Sequence, residues 1–261
     1  MSIRAINGLA LATFKSTTRS RLSIAVLLFG VALLMVASLM TASSLHEEAR
    51  LMRDFGLFLG SSIACLSTLA LSAQSLYRDL ERKSLFTIAT KPISRGVIIW
   101  GKFVGITLTS ATLVALMTLA WFVLSWRLDV PTDLVMLNAW WLVWIESVVI
   151  GAIAMLFGSF STPLIASILA FGIMVVGRFS EDLVQLQERA WKLGEPSLIL
   201  DYARELLVII PPLHLYNVTE EMVYGVVLPS AYWINATLMG VAYSVICLLI
   251  AQVIFGRRDL T

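Results

Sequence analysis

Residues 137–157 read LNAWWLVWIESVVIGAIAMLF, an apolar run carrying a single charge, Glu146. About 20 such residues are what a helix needs to cross a hydrocarbon core of about 30 Å. Without water there to satisfy backbone N–H and C=O groups, the run must be helical. Five further runs can be drawn on either side of it, at 22–42, 55–73, 103–125, 161–177 and 232–255. Segment 161–177 is the shortest and has Pro163 near its start, so thinning of the bilayer or its flanks must help it span. The composition agrees: 59% of the 261 residues are hydrophobic and 14% charged, with a mean hydropathy of +0.87. Those values lie outside the range of a water-soluble globular domain. The expected fold is an all-α polytopic membrane protein, a single transmembrane domain over residues 1–261 with six transmembrane helices. Around them the sequence predicts an N-terminal interfacial helix and outer amphipathic helices before the sixth span.

Residues 1–21 form the lead-in, with Ile3, Ile6 and Phe14 available to lipid and Arg4 and Lys15 to headgroups. A signal peptide is the rival reading of this basic start. The apolar run that follows is too long for one and no small-x-small site closes it, so it stays as the first span.

Charge sets the orientation. With a cytoplasmic N-terminus, the inner segments hold 12 basic and 3 acidic residues and the outer segments 7 basic and 13 acidic. Excess Lys and Arg favours the cytoplasmic side, so both termini are expected inside. Of the eight tryptophans, Trp121, Trp126, Trp140, Trp141, Trp144 and Trp233 fall at predicted outer boundaries, where indole rings prefer the headgroup level. The outer segment, 178–231, contains two helical patterns at 179–193 and 198–210, the second stopped by Pro211 and Pro212. Its PPLHLYN stretch, residues 211–217, reads as a turn held near the outer surface. The inner loop 77–102, YRDLERKSLFTIATKPISRGVIIWGK, is the densest basic stretch. Residues 79–89 have the spacing of a short helix, Lys91-Pro92 stops it, and a second helix starts at Ser94.

Chemistry-bearing patterns are few. HExxH, a nucleophile elbow and an intramembrane aspartate pair are absent, and Gly101-Lys102 lacks the rest of a phosphate-binding loop. The chain is therefore expected to be no enzyme and to need no cofactor or metal of its own. His46 and His214 lie far apart in outer loops, while Cys65 and Cys247 lie in separate spans and read as apolar filler. Glu146 is the one acid inside a span. Such a carboxylate is expensive and is the candidate for cargo contact, proton binding or an intramembrane polar contact with a basic neighbour or second subunit. The pairs Gly56 and Gly60, Gly101 and Gly105, and Ala154 and Gly158 permit close helix contact, within the chain or across a subunit interface.

Taken in order, these features resemble the membrane permease subunit of a type-2 ABC transporter, over nearly the whole chain. Glu81 matches the acidic position of that family's inner loop, Lys91 to Arg95 its Pro-x-x-Arg element, and Gly101-Lys102 its closing pair. Where members often carry a glycine after the acid, this chain has Arg82, Lys83 and Ser84. The PPLHLYN stretch and the closing FGRRDL are similar to a branch associated with copper-enzyme maturation, yet Met35, Met40 and the two cysteines form no copper ligand set. The resemblance implies a homodimer or heterodimer of permeases in a bacterial inner membrane, each docking a separate ATP-binding subunit that carries ATP and Mg. It makes Asp79, Glu81, Arg82, Lys83 and Arg95 the partner-coupling residues, with membrane lipid as a parallel contact for the basic ones. No nucleic acid is expected. Hydrophobic walls and one carboxylate suit export of a lipid, amphiphile or small peptide. The alternatives are a mechanotransmitting module acting on a periplasmic or cell-surface partner without translocation, and a secondary transporter.

Overall fold

A computed structural model of the chain describes residues 3–42, 48–81, 95–129, 135–192, 210–219, 221, 226 and 228–257. Eight α-helices are found there: α1 (Ile3–Thr18), α2 (Arg21–Ala42), α3 (Glu48–Glu81), α4 (Arg95–Arg127), α5 (Val135–Gly158), α6 (Pro163–Arg178), α7 (Ser180–Lys192) and α8 (Ser230–Arg257). A short 3-10 turn, Leu213–Tyr216, precedes α8. Among the described residues α3, α4, α5 and α8 are each long and apolar enough to cross a membrane. The count reaches six when the bent pairs α1–α2 (56°) and α6–α7 (50°) are each taken as one span.

Two cross-helix contacts bring the close of α3, the start of α4 and the close of α8 together at one end of the bundle. The Trp100 indole donates to Gln252 Oε1 (3.0 Å), and the Lys102 ammonium donates to the Ser75 carbonyl. At the opposite end Trp121 of α4 donates to the Met52 carbonyl of α3 (3.1 Å) and Trp141 of α5 to Thr237 of α8 (3.1 Å).

The densest packing joins α3 to α5. Small residues allow it: a Cβ on Gly151 would lie 2.9 Å from Thr68, and one on Gly60 2.4 Å from the Trp140 ring. Gly56 forms a matching slot for Trp121, and both indoles are almost fully buried. These two tryptophans therefore fill the protein core, where the sequence pattern put them in an interfacial belt. Trp126, 78% exposed, is free to occupy such a belt. Gly101 and Gly105 serve an intrachain contact as well. Leu9, Ala10 and Thr13 of α1 lie against them, so α1 is laid along the start of α4.

Helix α3 runs unbroken to Glu81, so Asp79 and Glu81 end a long helix and do not begin a separate one. At about 1.5 Å per residue, α3 and α4 each reach about 50 Å and overshoot a hydrocarbon core of about 30 Å. Arg95 opens α4, one residue from the expected start. The remainder of the expected short helix, with Arg82, Lys83 and the Lys91 to Ser94 element, lies outside the described residues. So do the second outer pattern up to residue 209 and the FGRRDL tail from Arg258.

Helix α6 begins with Pro163 at its first position, where a missing N–H costs nothing, and has only 16 residues. Such a helix rises about 24 Å, short of a full crossing. The chain bends at Phe179 and continues as α7, which carries Glu181 and Asp182 in its first turn and Arg189 and Lys192 in its last, as the helix dipole favours. Leu186 of α7 is exposed and Gln187 is buried.

Candidate functional site

Glu146 stands at the middle of α5, fully buried. A lone carboxylate there would be untenable, and its partner is the last residue of α6. Arg178 Nε donates to Glu146 Oε1 (2.6 Å) and Nη2 to Oε2 (3.0 Å), the forked arrangement that makes guanidinium–carboxylate pairs strong. The remaining edge of the guanidinium reaches α3, where Nη1 donates to Ser62 Oγ (3.2 Å) and Nη2 faces the Cys65 sulfur at 3.7 Å. One side chain thus ties α3, α5 and α6 together. Glu146 is a polar contact within the chain, and its charge is neutralised there.

Arg178 escaped the sequence reading because the apolar run of the fifth segment ends at Gly177, leaving the arginine as the first residue of an outer loop. A signal was nevertheless available: a carboxylate at depth demands a cation, and Arg178 closes the shortest span. A helix of only 16 residues ends early, and its terminal arginine stays beside the middle of α5.

The PPLHLYN stretch holds this corner in place. Leu213 and Tyr216 are buried, so the turn is inserted among α5, α6 and α8. A Cβ on Gly177 would lie 2.9 Å from Leu213, and one on Gly240 3.0 Å from the Tyr216 hydroxyl. Burial pushes the Tyr216 hydroxyl above the ordinary tyrosine range, and the Glu146 charge adds to the shift. His214 Nδ1 lies 2.7 Å from Ser180 Oγ, and the Tyr232 hydroxyl donates to the Leu215 carbonyl (2.7 Å).

Above the ion pair opens a vestibule of about 610 Å³, with Arg178 in its lining. Its walls come from the start of α7 (Ser180, Glu181, Asp182), the inserted turn (His214, Asn217) and Tyr232 of α8. The volume is in the range of small-molecule sites.

Of the other residues singled out by sequence, Asp79 and Glu81 lie in the last turn of α3 and Arg95 at the start of α4. Lys102 is 4% exposed and fastens these two helices through Ser75. Cys65 and Cys247 are free thiols on different helices. Among the described residues no three His, Cys, Asp or Glu side chains are grouped to hold a metal ion.

Several apolar spanning helices packed through small residues, with a neutralised ion pair deep in the bundle, define a polytopic membrane subunit. The chain matches the family model described as ABC-2 family transporter protein over residues 3–260, and it belongs to that family. It is accordingly a non-catalytic permease component, and the family implies a partner ATP-binding subunit. A search of curated proteins finds no match.

Proposed function

We propose that this chain is the membrane-spanning half of an ATP-driven exporter. In this reading it has six spans, both termini on the cytoplasmic side of a bacterial inner membrane, and α1 and α7 at the two membrane surfaces. It pairs with a second permease subunit and docks one ATP-binding subunit at residues 82–94 and the helix ends that flank them. The observation that carries this is the fastening of those ends. Lys102 binds the start of α4 to Ser75 of α3, Trp100 binds it to Gln252 of α8, and α1 lies against Gly101 and Gly105. A displacement applied to residues 82–94 therefore enters α3 and α4 together and is passed to α1 and α8. Asp79, Glu81, Arg82, Lys83 and Arg95 are the residues we assign to the docking surface, where charge sets register and partner choice.

A lipid, an amphiphile or a small peptide remains the favoured cargo. α8 supports a lipid-accessible wall, since Ile234, Leu238, Val241, Ile246, Leu249 and Val253 are all about half exposed or more. The branch-level likeness to copper-enzyme maturation permeases rests on PPLHLYN and FGRRDL alone and brings no ligand set with it. The test is assembly. With charge-reversed Glu81 and Arg95 variants, co-purification of the ATP-binding subunit and its ATP turnover in reconstituted membranes are expected to fall. Normal assembly and turnover in both variants would overturn the docking assignment.

A further inference from the structure

We propose that the Glu146–Arg178 pair is both floor and gate of a polar path that enters the bundle through the vestibule, with Cys65 directly beneath it. The inference rests on the permease reading above and assigns a place on the path, independent of what the cargo is.

Three observations carry it. First, Arg178 has two faces. It lines the 610 Å³ vestibule, and its guanidinium also holds Glu146, Ser62 and the edge of Cys65 inside the bundle. Second, exposure falls away across that one group. The Arg178 side chain is 15% exposed, whereas Glu146 and Cys65 are fully buried. Third, Arg178 is the last residue of α6, at the 50° bend into α7, so any turning of α6 against α5 moves the guanidinium.

The chemistry suits a gate. A forked ion pair away from water does not loosen by degrees, because each separated charge must find a new partner at once. The vestibule, lined by Ser180, Glu181, Asp182, His214 and Tyr232, brings polar groups to the outer edge of the guanidinium and to nothing below it. The pair therefore stays shut while α5 and α6 keep their register, and a change of register opens a route to Glu146, Ser62 and Cys65.

Cys65 is a built-in reporter. In a Cys247→Ala background it is the one cysteine of the chain, since the sequence contains two. The protein is placed in lipid nanodiscs, where both faces are reachable, and treated with a water-soluble methanethiosulfonate. Modification is followed by intact mass, with unfolded protein as the control for full reactivity. At rest Cys65 is expected to react slowly. The double variant Glu146→Gln/Arg178→Ala, which removes the barrier without stranding a charge, is expected to react at least about tenfold faster. If that variant fails to fold, Arg178→Lys keeps the charge on a slimmer head and is expected to give an intermediate acceleration. With the ATP-binding subunit and Mg-ATP, the parent is expected to react faster than without nucleotide.

Slow modification in the folded double variant, or in folded Arg178→Lys if that variant is used, overturns the proposal. So does an unchanged rate in the parent while ATP is hydrolysed at its normal speed. Failure to recover any ATP-binding subunit strikes at the permease reading instead, and the nucleotide-free arm still decides whether Arg178 covers Cys65.

Discussion

The bundle is tied together in two different ways. Where α3 closes and α4 opens, hydrogen bonds to uncharged acceptors do the tying, Lys102 to Ser75 and Trp100 to Gln252. At mid-depth a forked ion pair does the tying, with both oxygens of Glu146 held by Arg178. The first kind of tie opposes no second charge, so losing it strands no buried counter-ion, and it keeps helices in step without fixing them. The second is nearly all-or-none, because removing one partner strands the other in a medium that cannot solvate it. A motion entering where α3 closes and α4 opens is thus carried by yielding ties and meets one unyielding tie where the vestibule begins.

The sharpest way to break that comparison is Arg178→Ala alone. It leaves the Glu146 carboxylate buried without its partner and is expected to destabilise the fold by about 3–5 kcal/mol, read as a lower unfolding midpoint in detergent. Adding Glu146→Gln should return most of the loss. If the single and double variants unfold alike, the pair is not the stiff element described here. Next in size is Gly60→Leu, which drives new atoms into the Trp140 ring at the α3–α5 contact and is expected to cost about 1–3 kcal/mol. Trp140→Ala in the same chain should relieve the strain; a larger combined loss would show that the slot does not hold the ring.

Smaller effects probe the yielding ties. Lys102→Met exchanges a buried ammonium for an apolar side chain of similar length and is expected to cost about 1 kcal/mol, because the loss of its polar contacts is offset by charge no longer desolvated. Its mark should fall on function, as a weaker effect of the permease on the ATP turnover of its partner. A loss of several kcal/mol would place it with the ion pair. Gln252→Leu is expected to matter least, at about 0.5–1 kcal/mol, since Trp100 loses a single neutral bond. Measured by the same unfolding midpoint, a Gln252 effect equal to that of Arg178 would erase the distinction between the two kinds of tie.

Much of this fold was legible because membrane insertion leaves few choices. The apolar runs at 55–73, 103–125, 137–157 and 232–255 each lie within a helix, since length and polarity alone decide that a segment is spanning. Hydropathy did not tell which face of a helix meets protein. The apolar windows of α5 and α8 have mean hydropathies of 2.0 and 2.3, yet 78% of one and 28% of the other is buried. Trp121 and Trp140 were misplaced for the same reason: an indole suits a headgroup layer or a glycine slot equally well, and only the facing helix decides. Glu146 could be flagged by its cost, whereas Arg178 could not be matched to it from the apolar runs. That pairing depends on how high α6 reaches, a property of three dimensions. Asp79 and Glu81 read as the opening of a short helix, whereas α3 continues through both, because a helix propagates past the end of its apolar run and the change of composition conceals it.

The seat of α1 has a consequence for how the protein is made. Residues 3–18 leave the ribosome well before Gly101 and Gly105, which cut the groove that receives them. The opening helix must therefore wait through the insertion of α2 and α3 before its berth exists. Its settling against α4 becomes a late step of biogenesis, one that reports that the first half of the bundle has been threaded in the right order.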